Sequence, residues 1–300
     1  MTWIALVAWL LIVSVFLSDG PVLVATVGDR LSAGTRQLCL GLPLLFGPFA
    51  LLLTPWATWV ALLVAAVVLL HLMGHALWVR SLALAPAPAE VASEVVRLCA
   101  AWEVRPPDRI CVGPAGPAVI GLRRQVLVLP ELALTAPAEV LQAMLAHELA
   151  HVAGRDSLRL WLAGVGRTLL FWHPLARVSL DSFRLQVELQ ADAQAAAWLG
   201  DARRYALSLA RAGLAFGGGG QAPAWGAALA ERPTELTVRL QTLMEPLPAA
   251  KTLRLPAWMG RLLPAPRRER PAMGPCLAHT VILGTFLGYL LLFLLALWLS

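Results

Sequence analysis

Three hundred residues, 59% of them hydrophobic and only 14% charged, leave more apolar surface than one soluble core can cover. The net charge of +6 is carried almost entirely by arginine and comes without a basic helix interleaved with aromatics, which argues against nucleic acid as a partner and for an anionic membrane surface. Cys39, Cys99, Cys111 and Cys276 include no C-x-x-C pair, so neither a disulfide framework nor a cysteine zinc site is indicated.

Residues 2–17 form an apolar run with no basic residue before it and a poor cleavage site after it, at Ser18, Asp19, Gly20 and Pro21. A retained span at about 2–18 is expected rather than a signal peptide. Residues 38–79 are apolar for about twice the ~20 residues that one helical span needs. Pro55 divides them into a hairpin at about 38–54 and 55–79. Residues 277–299 are the fourth expected span. Trp3, Trp56, Trp59, Trp78 and Trp298 fall near span ends, where amphipathic rings favour the interface. With the N-terminus outside, every Lys and Arg lies on the cytoplasmic side. Arg80, Arg267, Arg268 and Arg270 sit where the positive-inside rule has most force. An inner-membrane, multi-pass protein is therefore expected, with a bilayer as one partner. His71 and His75, four apart in the third span, read as interface histidines.

Residues 81–270 are the expected cytoplasmic domain. A helical stretch at 89–102 is followed by short β-like runs punctuated by Pro106, Pro107, Gly113, Pro114, Gly116 and Pro117. Residues 125–129 are β-rich and end at Pro130. Helices are expected at 137–152, with Gly154 as the stop, and then at 157–172, 178–199, 201–216 and 235–244. Residues 246–270 read as a basic, Pro-rich linker back to the membrane. The fold class is a mainly α integral membrane protein, with four transmembrane helices and a cytoplasmic α+β domain.

Chemistry concentrates at Ala146-His147-Glu148-Leu149-Ala150-His151, an H-E-x-x-H inside a helical segment. Side chains four apart share a helix face, so His147 and His151 can meet one metal while Glu148 reaches water beside it. Zinc needs a third protein ligand and an open position. Glu188-Leu189-Gln190-Ala191-Asp192 offers Glu188 as that ligand. Asp192, one turn on, is placed to accept the N–H of a ligand histidine. The expectation is one Zn2+ per chain, bound by His147, His151 and Glu188, with Glu148 as the proton carrier in peptide hydrolysis.

These residues resemble BlaR/MecR-type membrane zinc metallopeptidases, gluzincins related to the HtpX and CAAX-protease type. The likeness rests on 117–130 (PAVIGLRRQVLVLP), 145–156 (LAHELAHVAGRD), the Phe171-Trp172-His173-Pro174 turn and 184–192 (RLQVELQAD). It covers about half the chain, 106–245, and its plan of three spans, a protease and a fourth span agrees with the hydropathy. The resemblance implies that Val126, Leu127, Val128 and Leu129 form the edge strand on which a substrate peptide lies extended. It also implies a protein or peptide substrate such as a transcriptional repressor, with no direct nucleic-acid binding. His173, where the family usually has asparagine, is a candidate for holding an oxyanion, and Arg184 a candidate for steadying Glu188 or Asp192. The chain ends directly after the fourth expected span, so an outer penicillin-binding sensor domain is expected to be missing. An HtpX-like quality-control protease and a catalytically silent scaffold are the alternatives.

Overall fold

The computed structural model describes residues 13–14, 17, 20–25, 28–49, 57–114, 116–216 and 233–245. The expected first and fourth spans and the linker at 246–270 fall wholly or mostly outside them. The described elements are mostly helical, with one small sheet. The chain divides into two compact units. One comprises Met1–His71, Leu162–Gln186 and Leu247–Ser300, and the other Leu72–Trp161 and Val187–Pro246. Residues 162–186, which the sequence reading gives to the cytoplasmic domain, group with the first unit.

In the first unit, helix α1 (Ala33–Phe49) starts after Ser32, whose Oγ accepts the Thr35 N–H at 3.2 Å and caps the first turn. Helix α2 (Ala57–Ser81) has 25 residues, about 37 Å at the usual rise. Its segment Thr58–Ser81 is the one helix among the described residues long and apolar enough to cross a membrane, and none of that window is buried. Helix α5 (Asp156–Leu169) passes so close to α1 that a Cβ on Gly166 would collide with the Leu44 carbonyl. Helix α6 (Pro174–Leu199) begins four residues earlier than the periodicity suggests. Pro174 loses nothing at a first helical position, and the Leu175 N–H donates to His173 Nδ1 at 3.2 Å.

The second unit is built on a sheet of order β1-β2-β4-β3, with β1 Ala85–Pro86, β2 Arg109–Gly113, β3 Ala118–Ile120 and β4 Val126–Pro130. Here the structure corrects the sequence reading. Val126, Leu127, Val128 and Leu129 lie in an inner strand, paired in parallel with Arg109–Gly113 and antiparallel with Ala118–Ile120. With both sides of its backbone hydrogen-bonded, β4 cannot receive a peptide. Its side chains explain the position. Leu127 and Leu129 point into a core with Val95, Leu98, Leu145 and Leu149, whereas Val128 packs on the other face beside Trp78, Leu82 and Leu84. A strand buried on both faces reads as a continuous apolar run. The outer strands are β1 and β3.

Against this sheet pack α3 (Ala89–Ala101) and α4 (Ala138–Gly154). A stripe of small residues brings α4 close to the second half of α6 and to α7 (Ala202–Phe216). Ala143 and Ala146 of α4 meet Ala195 and Ala196 of α6 and Tyr205 of α7. That close approach of backbones carries the functional side chains of three helices to one place. Helix α8 (Pro233–Met244) completes the unit.

Candidate metal centre

His147 and His151 project from one face of α4 with their Nε2 atoms 3.1 Å apart. Glu188, on α6, places Oε2 3.3 Å from His147 Nε2 and Oε1 3.6 Å from His151 Nε2. Ligand atoms of the three residues all lie within 4.8 Å of one another. Bonds of about 2.0–2.2 Å in a tetrahedron put neighbouring ligand atoms roughly 3.3–3.5 Å apart, so this triangle has the size that zinc requires. The Glu188 side chain is 29% exposed, against 10% and 11% for the two histidines, so the cluster opens to solvent on the glutamate side.

The opposite ring nitrogens are held by carboxylates. His151 Nδ1 is 2.9 Å from Asp156 Oδ2, and His147 Nδ1 is 3.1 Å from Asp192 Oδ1. Carboxylates accept, so in the neutral imidazoles each Nδ1 carries the proton and each Nε2 presents a lone pair. Two lone pairs facing each other at 3.1 Å repel unless a cation stands between them. The donor set therefore fits a metal ion.

Asp156 reaches His151 by an unusual turn. Gly154 is the last residue of α4, and Arg155 takes the left-handed conformation at φ 52°. The Asp156 carboxylate then folds back over Gly154, where an added Cβ would stand 2.7 Å from Oδ1. The glycine serves this close approach, while the arginine turns the chain. Asp156 Oδ1 also accepts from Arg159 Nη1 at 2.8 Å.

Asp192 is the most enclosed of the carboxylates, at 1% exposure. Arg239 of α8 donates to it through Nε and Nη2, both at 2.7 Å, and lies 3.1 Å from Glu188 Oε2 through Nη1. Tyr205 donates its hydroxyl to Asp192 Oδ1 at 2.6 Å, and its oxygen stands 3.2 Å from His147 Nδ1. Asp156, Tyr205 and Arg239 are additions that the sequence reading did not contain.

Electrostatics follow from this packing. Burial alone would raise Glu188, but His151 and Arg239 hold its carboxyl well below the usual range. The same contest, with Arg239 as the strongest opponent of burial, lowers Asp192. Burial also opposes charge on both imidazoles. Even so, the carboxylates raise His147, and they raise His151 well above its ordinary value. Glu148 is buried beside the cluster, and burial outweighs the two histidines to push its carboxyl up.

His173 and Arg184 belong to the first unit, where His173 caps α6 and Arg184 sits 3.9 Å from Asp181. Arg239 contacts both Glu188 and Asp192.

No curated protein and no solved structure matches the chain. Residues 50–243, well over half of it, match the family described as BlaR1 peptidase M56, and this span contains every residue of the His147–His151–Glu188 centre. The chain thus belongs to the BlaR1 peptidase M56 family, membrane-associated metallopeptidases of the BlaR/MecR type.

Proposed function

We propose that the protein is a zinc endopeptidase of the membrane that cuts a cytoplasmic regulator, such as a repressor, or a membrane-associated protein. The observation that carries this reading is the convergence of two imidazole Nε2 atoms and the Glu188 carboxylate, with the Glu148 carboxyl buried beside them. His147, His151 and Glu188 would hold the ion. Zinc, when bound, supplies a Lewis acid that polarises a carbonyl and makes water more acidic.

The chain's own residues do the rest. Glu148 takes a proton from water and returns it to the leaving amine. Its raised carboxyl suits both tasks, since an acid–base group works best when its pKa lies near the operating pH. Asp192 and Asp156 keep the two imidazoles in the tautomer that presents Nε2. The substrate backbone is assigned to β3, the outer strand that touches α4. Val119 O already accepts from Ser157 at 2.6 Å, so docking there uses other main-chain groups.

We also infer four spans, at 2–18, 38–54, 55–79 and 277–299, with the N-terminus outside and the protease domain, 81–270, in the cytoplasm. The apolar, unburied length of α2 and the one-sided arginine distribution support this arrangement.

The test compares wild type with Glu148→Gln in detergent, measuring zinc content and cleavage of a peptide library. One zinc per chain in both, with cleavage only by wild type, is expected. Cleavage by Glu148→Gln would refute the mechanism, and tight zinc binding by Glu188→Ala would refute the ligand set. A zinc-loaded wild type without cleavage would favour the scaffold. A reporter fused after Ser300 should read outside.

A further inference from the structure

Between α5 and α6 the chain turns through Leu170, Phe171, Trp172 and His173. Leu170 and His173 are buried, yet Phe171 is 77% exposed and Trp172 38%. A scattered apolar side chain on a surface is ordinary, but two adjacent large aromatics held outward are not. The turn is well tied. The His173 N–H donates to Leu170 O at 2.9 Å, the Phe171 N–H to Thr168 O at 3.3 Å, and His173 caps α6. The exposure is therefore built in.

The corner's place in the first unit shows what it faces. Thr168, three residues before Phe171, has its hydroxyl 2.9 Å from His71 Nε2 of α2. Along α2 from Trp59, His71 is the first polar side chain after an apolar stretch in which Trp59, Leu62, Leu63, Leu69 and Leu70 are exposed. His71 lies in the C-terminal half of α2, where His75 follows it among the exposed Leu72, Met73 and Leu77, and its bond to Thr168 ties the corner to that half of the proposed span. Residues 162–186 carry Arg167, Arg177 and Arg184 against Asp181 alone, three positive charges to one negative. Aromatic tips with flanking arginines suit the boundary between acyl chains and anionic headgroups, where the rings enter the apolar side and guanidinium groups meet phosphate.

We infer that the α5–α6 corner is an interfacial membrane anchor, with Phe171 and Trp172 seated at the headgroup–acyl boundary of an anionic bilayer. This rests on the proposed span through α2. It adds a second, non-spanning attachment, on the helix that runs on to Glu188 and Asp192.

The full chain is reconstituted in phosphatidylcholine–phosphatidylglycerol vesicles with Cys276→Ser and a fluorophore on Phe171→Cys. Cys39, Cys99 and Cys111 are buried and stay unlabelled in the folded protein. Lipids brominated near the headgroup and aqueous iodide serve as quenchers. Equivalent labels at Leu63, on α2, and at Leu207, exposed in the second unit, are the references, and zinc content reports folding. The label at 171 should be quenched several-fold more by bromolipid than the label at 207, and be shielded from iodide. Quenching at 63 but not at 171 would overturn the anchor and leave the span intact. Quenching at neither would overturn the span reading, and the anchor with it.

Discussion

Replacing Asp192 by Asn keeps the shape of the side chain and removes its charge. In the native centre that charge meets Arg239 through two bonds of 2.7 Å, the Tyr205 hydroxyl at 2.6 Å and His147 Nδ1 at 3.1 Å. Asp192 is 1% exposed and Arg239 5%, so water cannot take over. Leaving one partner of a buried pair uncompensated costs about 3–5 kcal/mol, and Glu188, still 3.1 Å from Arg239, places this case near the lower end. Metal affinity should fall about 10- to 100-fold as His147 loses its orienting acceptor, or roughly 1.4–2.7 kcal/mol. The guanidinium, no longer facing the Asp192 charge, acts in the same direction, because it repels a cation. Chelator competition reads the affinity, and thermal unfolding of metal-free protein reads the stability. The double variant Asp192→Leu with Arg239→Met separates the two effects. It removes both charges, so stability should largely return while zinc stays weakly held. Zinc affinity of Asp192→Asn within about two-fold of wild type would refute the reasoning.

Three further outcomes follow from the same geometry. Gly154→Ala puts a methyl 2.7 Å from Asp156 Oδ1, so the carboxylate must leave His151. Zinc affinity should drop about ten-fold although alanine is the better helix former by roughly 1 kcal/mol, and unchanged affinity in chelator competition would contradict this. In metal-free protein both imidazoles titrate above their usual value, so protons compete with zinc from higher pH than for ordinary histidine. Zinc affinity measured across a pH series should therefore fall as pH is lowered, starting above about 6.5, and a flat profile through that range would refute it. Tyr205→Phe removes a bond to a buried carboxylate and should cost about 1.5–3 kcal/mol in thermal unfolding; no loss would show that the bond carries no weight.

Much of the centre is legible where chemistry is local in sequence. His147 and His151 are four apart on one helix, as are Glu188 and Asp192, and helical spacing alone puts each pair on one face. Asp156 is five residues from His151, but it arrives only because Arg155 turns left-handed, which arginine seldom does. Tyr205 and Arg239 come from separate helices. A signal for Arg239 was present. Leu236, Leu240 and Leu243 mark the apolar stripe of α8, and Arg239 lies on that stripe, where a charge needs a buried partner. The inner position of β4 was readable too, because five apolar residues in succession describe a strand covered on both faces. Residues 162–186 were harder to place. Their grouping depends on Gly166 against Leu44 and on the Gln37 side chain donating to Gln186 O at 3.1 Å, contacts that no periodicity encodes.

The charge of the centre argues for the ion. Glu148, Asp156, Glu188 and Asp192 bring four carboxyl groups, while Arg159 and Arg239 bring two fixed positive charges. With the carboxyls ionised and the histidines neutral, two negative charges remain, which a divalent cation balances and a monovalent one does not. In metal-free protein the imbalance appears in the titration. The carboxylates draw protons onto His147 and His151 against the cost of burial, and burial raises Glu148. Zinc would replace the protons on the histidines and leave Glu148 able to exchange its own. On the proposed mechanism, the features that suit the site to a metal therefore also suit Glu148 to carrying the proton.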